Sequence, residues 1–433
     1  LKIHFIGIGG IGISGLAKYM LALGHTVSGS DMRQTTITDE LVSLGCAINI
    51  GHRAEAIKEP DMVVYSAVVK PTNVERVTAE AKGIKTLSRK AFLPYVLSDR
   101  EVYAVCGAHG KSTTTAILAS IMSGSAIIGA QSKAMDSNMR FDATNRRMIF
   151  EADESDGSFL EANAAVAIVT NAEPEHMEYY GHDEAKFYGA YRAFLDNAPL
   201  RIINAEDPFL ATYEGEAVRL YPSRDIRDMS NVLIDDEPYT RFALRDLGYF
   251  EVWGLGEHIV TDAALAILAA LEGGMALESI RASLKNYHGI KKRFDIIHKN
   301  RTILIDDYAH HPTEIAATFK SIMTYARLKG IDTITTIWQP HKYSRTIDNI
   351  EAFSRCFDGT QRLIILPVYS AGEEHVAIDF ETIFASYAPL FVDRMVREGE
   401  ALALYKNDQI VSRLDKGIII GFGAGDITYQ LRG

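Results

Sequence analysis

Residues 106–115 read CGAHGKSTTT, between the apolar run EVYAV (101–105) and the segment AILASIM (116–122). Strand, glycine-bearing loop and helix, in that order, form a cradle for phosphate: backbone N–H groups converge on oxygens at the helix N-terminus. The stretch departs from the common G-x-x-x-x-G-K-[ST] pattern, because Val105 stands where that pattern has its first glycine. Gly107 and Gly110 still provide a permissive pair. Gly107, Ala108, His109, Gly110, Lys111, Ser112 and Thr113 are therefore read as an ATP-phosphate loop. In this reading Lys111 reaches the outer phosphates and the Ser112 hydroxyl ligates Mg²⁺. A helix start with an accidental lysine is the plain alternative, and the strand–loop–helix context argues against it.

A second glycine turn lies about a hundred residues earlier, in HFIGIGGIGISG (4–15). Gly7, Gly9 and Gly12 make G-x-G-x-x-G after a strand and before a helix, with Gly10 and Ile11 inside the turn. That spacing suits a tight turn and close approach of a diphosphate. Asp31, nineteen residues past Gly12 and next to Ser30, stands at the distance of a ribose contact. The signal speaks for a nucleotide diphosphate more than for a nicotinamide cofactor. A nicotinamide-dependent oxidoreductase would use this turn but leave the Lys111 loop unexplained.

Strand, turn and helix alternate along the chain, which predicts parallel sheets flanked by helices. The pattern restarts near residue 100 and again near 303, with ILIDDYAHHPTE. Three α/β domains are expected: 1–98 Rossmann-like, 99–290 P-loop-like and 291–433 Rossmann-like. With 433 residues and 47% hydrophobic content there is material for several cores. The net charge of -11 argues against nucleic-acid binding. An anionic substrate must then meet a local basic pocket. Cys46, Cys106 and Cys356 form no CxxC pair, so reduced thiols are expected. No run approaches the length of a membrane span and no leader pattern opens the chain, so a cytoplasmic location is expected.

Chemically unusual residues follow the apolar strands, where ligands bind in open α/β sheets. EADESD (151–156) crowds four carboxylates after the strand RMIF. Glu151, the first of them, is the expected metal partner of Ser112, against the alternative of a solvated acidic turn. His176, after AVAIVTN, is a candidate metal ligand or a structural histidine. DDYAHHPTE (306–314), with a helix expected to be capped by Thr313, and QPHKYSRT (339–346) gather histidines and cations. Such a cluster in an acidic protein suggests a carboxylate pocket.

Together these segments resemble the Mur ligase family over essentially the whole chain. GIGGIGISGLA, GAHGKSTTT, EADESDGSF, AIVTNAEPEHMEYYG, KKRFD, DDYAHHPTE and QPHKYSRT occur in that family's order. The resemblance implies ATP- and Mg²⁺-dependent joining of an amino acid, L-alanine by the nearest likeness, to UDP-N-acetylmuramate in peptidoglycan assembly. The tripeptide-recycling branch is the nearest rival, and a nucleotide sensor without activity is a further alternative. The two glycine loops then divide between UDP and ATP. The resemblance assigns Gly9, Gly10, Ile11, Gly12, Ser30, Asp31, Ser66 and His341 to the UDP substrate. It assigns His258, Asp262 and Arg293 to ATP, and Tyr308, His310, Lys342 and Arg345 to the amino acid. Lys111, Glu151, His176, Arg293 and Arg345 become the catalytic set, with Ser112, Glu151 and His176 around the metal. It implies a monomer or weak homodimer. The chain departs from the family pattern at Ile259 and Asp262 (usually asparagines), Ala309 (usually glycine) and Lys342 (usually arginine). Tyr191 stands where sister ligases have a carbamylated lysine, so that modification is not expected.

Overall fold

The computed structural model describes residues 1–433. The first strand, Lys2–Ile6, is almost entirely buried and lies at the centre of a five-stranded parallel sheet. The sheet runs Ala47–Ile50, Thr26–Asp31, Lys2–Ile6, Met62–Tyr65, Lys85–Ser88. Strand order reverses between Lys2–Ile6 and Met62–Tyr65, and Gly7 leaves the sheet at that switch point. A Cβ on Gly7 would lie 3.2 Å from the Cβ of Ser66. The helix Ile11–Ala22 follows, and Gly24 (φ 85°) ends it.

A seven-stranded sheet carries the second glycine loop. Its order is Val218–Leu220, Leu200–Asn204, Val166–Val169, Glu101–Cys106, Arg147–Glu151, Ser125–Ser132, Ser137–Arg140. Glu101–Cys106 is central and pairs in parallel with both neighbours, in the registers Val105↔Glu151 and Cys106↔Val169. Three carboxyl ends thus open side by side: the phosphate loop, Glu151 and the turn that begins at Thr170. This placement explains why residues 39 to 62 positions apart in sequence meet.

The two sheets belong to one compact unit, made of Leu1–Met229, Phe242–Val252 and Glu257–His288. Helix Ile11–Ala22 packs on the hairpin Ser125–Ser132/Ser137–Arg140. A Cβ on Gly15 would come within 2.9 Å of Ile127, so the glycine permits this approach. The buried Lys18 seals the contact: its Nζ pairs with Glu40 at 2.5 Å and donates to Asn138 Oδ1 at 2.8 Å. A buried cation with a charge partner and an amide acceptor is a satisfied one.

The second unit comprises Ser230–Arg241, Trp253–Gly256 and Gly289–Gly433. Its main sheet runs Asp295–Lys299, Thr302–Asp307, Gly417–Phe422, Ile334–Trp338, Arg362–Ile365, Leu390–Phe391, parallel except for the first strand. A small antiparallel sheet, Arg394–Glu398, Ala401–Lys406 and Gln409–Leu414, follows. Leu304, Ile337, Ile364 and Ile419 build the core between them and the C-terminal helix. The helix after DDYAHH starts at Pro312 with His311 as its cap, two residues earlier than the expected Thr313 cap. Proline is favoured at the first helical position. The side chain of Glu314, not a threonine cap, accepts the N–H groups of His310 and His311 at 3.1 and 3.2 Å.

Candidate active site

The phosphate loop needs glycine at two places. Gly107 has φ 146° and Gly110 has φ 79°, both in the region L side chains avoid. A Cβ on Gly107 would fall 2.0 Å from Thr170 Oγ1, and one on Gly110 would fall 2.4 Å from Asp262 Oδ1. Asp262, on helix Glu257–Glu272, is buried against the loop, whereas His258 at the start of that helix is exposed. The loop is pinned from the neighbouring strand end: Thr170 Oγ1 donates to the His109 carbonyl at 2.6 Å, and His109 N–H donates to Asn171 Oδ1 at 3.0 Å. The exposed His109 ring stands 3.3 Å from Glu175 and 3.4 Å from Glu173.

Helix Lys111–Ile121 begins directly at the lysine. Lys111 Nζ lies 3.1 Å from Glu154 Oε1 and donates to the Ala108 carbonyl at 3.3 Å. Burial opposes its charge, yet Glu154, Glu151 and Asp153 together outweigh burial and hold its pKa above the ordinary value. Glu154 is fully buried, and its Oε2 has no hydrogen-bond partner. Burial pushes this carboxyl up from its usual range, while Lys111 pulls it back. Glu154 is a feature the sequence reading missed. It lies three residues past Glu151, and only the fold of the acidic turn aims it inward: Gly157 N–H and the Tyr180 hydroxyl both donate to its carbonyl.

Ser112 Oγ donates to Glu151 Oε1 at 2.9 Å, and Gly129 N–H donates to Glu151 Oε2 at 2.6 Å. The structure thus brings Ser112 and Glu151 together. A hydroxyl and a carboxylate held side by side at the helix start are hard oxygen donors, the donor set that suits Mg²⁺. His176 is exposed on a turn with φ 52°, and its ring makes no hydrogen bond or ion pair. No three His, Cys, Asp or Glu side chains converge to hold a metal by themselves. Tyr191 is a core residue packed against Phe159 and Phe187, its hydroxyl buried beside Cys106.

At the first glycine turn, Gly9 N–H donates to Asp31 Oδ2 at 2.9 Å, so Asp31 braces the turn. Ser30 is fully buried, and its hydroxyl donates to Glu75 at 2.5 Å. Gly10 caps the helix that Ile11 begins.

In the second unit, Tyr308, His310, His341 and Arg345 draw together. The Tyr308 and His310 rings are 5.3 Å apart, and those of His310 and His341 are 5.8 Å apart. Arg345 Nη1 lies 3.0 Å from His341 Nδ1. Lys342 has φ 67°, so the chain turns sharply between His341 and the helix Tyr343–Asp348. Arg293 is exposed and acts electrostatically on Asp307 and Tyr308. Asp307 is buried and pushed up to about 6, with the N–H groups of Phe294 and Ala309 opposing that shift.

Burial, then the charges of Arg345, His310 and Lys342, pull His341 down to about 4. His341 is therefore neutral at pH 7. Its folded pKa lies below the unfolded value of about 6.5, so the unfolded chain takes up the proton first as pH falls. The stability it contributes is complete above that value and is lost as pH falls toward 4. An NMR titration should find the His341 midpoint near 4, and Arg345→Ala should raise it. A midpoint near the ordinary value in the unmodified protein would contradict this geometry.

The site is a phosphate loop joined to a strand-end carboxylate, in an α/β chain with a second glycine turn. That is the layout of a P-loop enzyme that binds a nucleoside phosphate. Comparison with known proteins agrees. A model described as the Mur ligase family, catalytic domain matches residues 2–100, and one described as the Mur ligase middle domain matches 105–270. The chain belongs to the Mur ligase family. It is 54% identical over 433 residues to a UDP-N-acetylmuramate–L-alanine ligase of Campylobacter curvus, covering 100% of this chain and 99% of that one. It is likewise 54% identical to the enzyme of that name from Helicobacter pylori, covering 100% and 96%. Among solved structures, the UDP-N-acetylmuramate–alanine ligase of Thermotoga maritima matches with a TM-score of 0.83 at 25% identity, covering 100% and 97%. A murein peptide ligase of Psychrobacter arcticus shares the fold with a TM-score of 0.64 at 19% identity, covering 100% and 99%. No helix is long and apolar enough to cross a membrane.

Proposed function

We propose that the protein joins L-alanine to the lactyl carboxylate of UDP-N-acetylmuramate, with ATP cleaved to ADP and phosphate, in peptidoglycan precursor synthesis. The observation that carries this reading is the phosphate loop with Lys111 at the helix start and Ser112 bonded to Glu151. The full-length likeness to alanine-adding ligases supplies the substrates.

A carboxylate is a poor electrophile, and phosphorylation repairs this. A lactyl carboxylate oxygen forms a bond to the γ-phosphorus, ADP leaves, and an acyl phosphate results. The neutral amine of alanine then attacks the acyl carbon. Phosphate leaves with the bonding pair, and the amine gives up a proton. The chain's own contribution is position and charge. Gly107, Ala108, His109, Gly110 and Thr113 cradle the phosphates of ATP, and Lys111 meets the outer ones. Ser112 and Glu151 would hold Mg²⁺, with His176 as a further ligand. Mg²⁺, when bound, neutralises charge developing on the transferred phosphoryl group. His258 and Asp262 contact the nucleotide.

Gly9, Gly10, Ile11, Gly12 and Ser66 hold the UDP substrate, with Asp31 and Ser30 supporting the turn from behind. Tyr308, His310, Lys342 and Arg345 receive alanine, the two cations meeting its carboxylate. We assign residues 1–98, 99–290 and 291–433 to UDP substrate, ATP and amino acid respectively. The protein is read as a cytoplasmic monomer or weak dimer.

Phosphate release from ATP and Mg²⁺ in the presence of UDP-N-acetylmuramate tests the proposal. Release should require L-alanine. Release with the tripeptide but not with alanine would move the protein to the recycling branch.

A further inference from the structure

Arg89 opens the helix Arg89–Leu97 behind the cap Ser88, and the residue is only 9% exposed. Its Nη1 donates to Ser158 Oγ at 2.9 Å, on the acidic segment that begins at Glu151. The carboxylates of Asp156 and Asp153 stand farther off, at 3.7 and 3.9 Å from Nη1. The other edge of the guanidinium is different. Nε is buried with no hydrogen-bond partner. Measured from a Cβ built on Gly12, Nε lies at 3.4 Å and Nη2 at 3.6 Å. The Nε–Nη2 edge therefore faces the third glycine of the first turn, close to the N-terminus of helix Ile11–Ala22. A side chain at position 12 would cover that edge, and glycine leaves it open.

A buried N–H without a partner costs free energy, and the paired Nε–Nη2 edge matches two oxygens of a phosphate or carboxylate. We propose that Arg89 is a further substrate-binding residue, its Nε–Nη2 edge taking an anionic oxygen pair of the UDP-linked substrate beside Gly12. This inference rests on the ligase reading above. The Ser158 bond fixes the guanidinium plane, so the acidic segment orients a donor used at the other nucleotide site.

The test uses the full chain with Arg89→Lys, which keeps the charge and loses the fork, and Arg89→Ala. Both the KM for UDP-N-acetylmuramate and the Kd for UDP alone, by calorimetry, should be measured. The KM should rise about tenfold to a hundredfold in both variants, with kcat and the KM for ATP within about twofold of the parent. A parallel loss of UDP affinity assigns the diphosphate as the anion, and unchanged UDP affinity with a raised KM assigns the carboxylate. Unchanged KM and UDP affinity would overturn the proposal. So would a fall confined to kcat or ATP affinity, which would make Arg89 a tether of the acidic segment. Absence of turnover in the parent protein would sink the ligase reading instead, and UDP binding would still judge Arg89.

Discussion

Lys111→Ala should lower kcat/KM for ATP by about three orders of magnitude, since it removes the one cation of the loop aimed at developing phosphoryl charge. The substitution has a second effect that must be separated from the first. Glu154 is fully buried and meets Lys111 at 3.1 Å, so deleting the lysine strands a carboxylate without its counter-ion. Breaking a buried pair this way costs about 3–5 kcal/mol. Lys111→Ala alone should therefore melt well below the parent protein. Adding Glu154→Gln removes the stranded charge and should restore most of the lost Tm, but none of the activity. Denaturation curves and steady-state kinetics on both variants check this. Activity returning along with stability would show that Lys111 serves the fold and not the phosphates.

The second large effect is expected at Gly107. An alanine there places its Cβ 2.0 Å from Thr170 Oγ1 and 3.1 Å from the Asn171 carbonyl, at a φ of 146°. The loop must move off the end of Val166–Val169, where Thr170 and Asn171 now hold it. Roughly 2–4 kcal/mol of stability should be lost, with ATP turnover down at least about a hundredfold. Gly107→Ala with Thr170→Ala relieves the clash but not the backbone strain, so rescue should be partial. Wild-type ATP affinity in Gly107→Ala would mean that the loop does not need this backbone path.

What was legible in the sequence was local. Strand, loop and helix around Lys111 announce themselves through apolar runs and glycines within about twenty residues, and the chain folds there as read. The Ser112–Glu151 pair was also reachable, because both residues follow strands of one sheet and the sheet brings carboxyl ends together. Other features depend on contacts that no spacing encodes. Asp31 sits at the distance of a ribose contact, yet in the fold its carboxylate takes the Gly9 N–H. Ser30 points into the core because strand alternation and the partner Glu75, 45 residues away, decide its direction. Glu154 and Arg89 escaped notice for the same reason. One is turned inward by a tyrosine 26 residues on, and the other is held by a serine 69 residues on. The Thr313 cap failed more simply: Pro312 can begin a helix, and Glu314 closes it.

The central claim is that the lactyl carboxylate is activated by phosphorylation before alanine attacks. Carboxylate labelled with oxygen-18 in UDP-N-acetylmuramate tests it most directly, by mass analysis of the phosphate released during turnover with ATP and L-alanine. The account predicts one labelled oxygen in each phosphate and one remaining in the amide product. Unlabelled phosphate alongside normal product formation would contradict it.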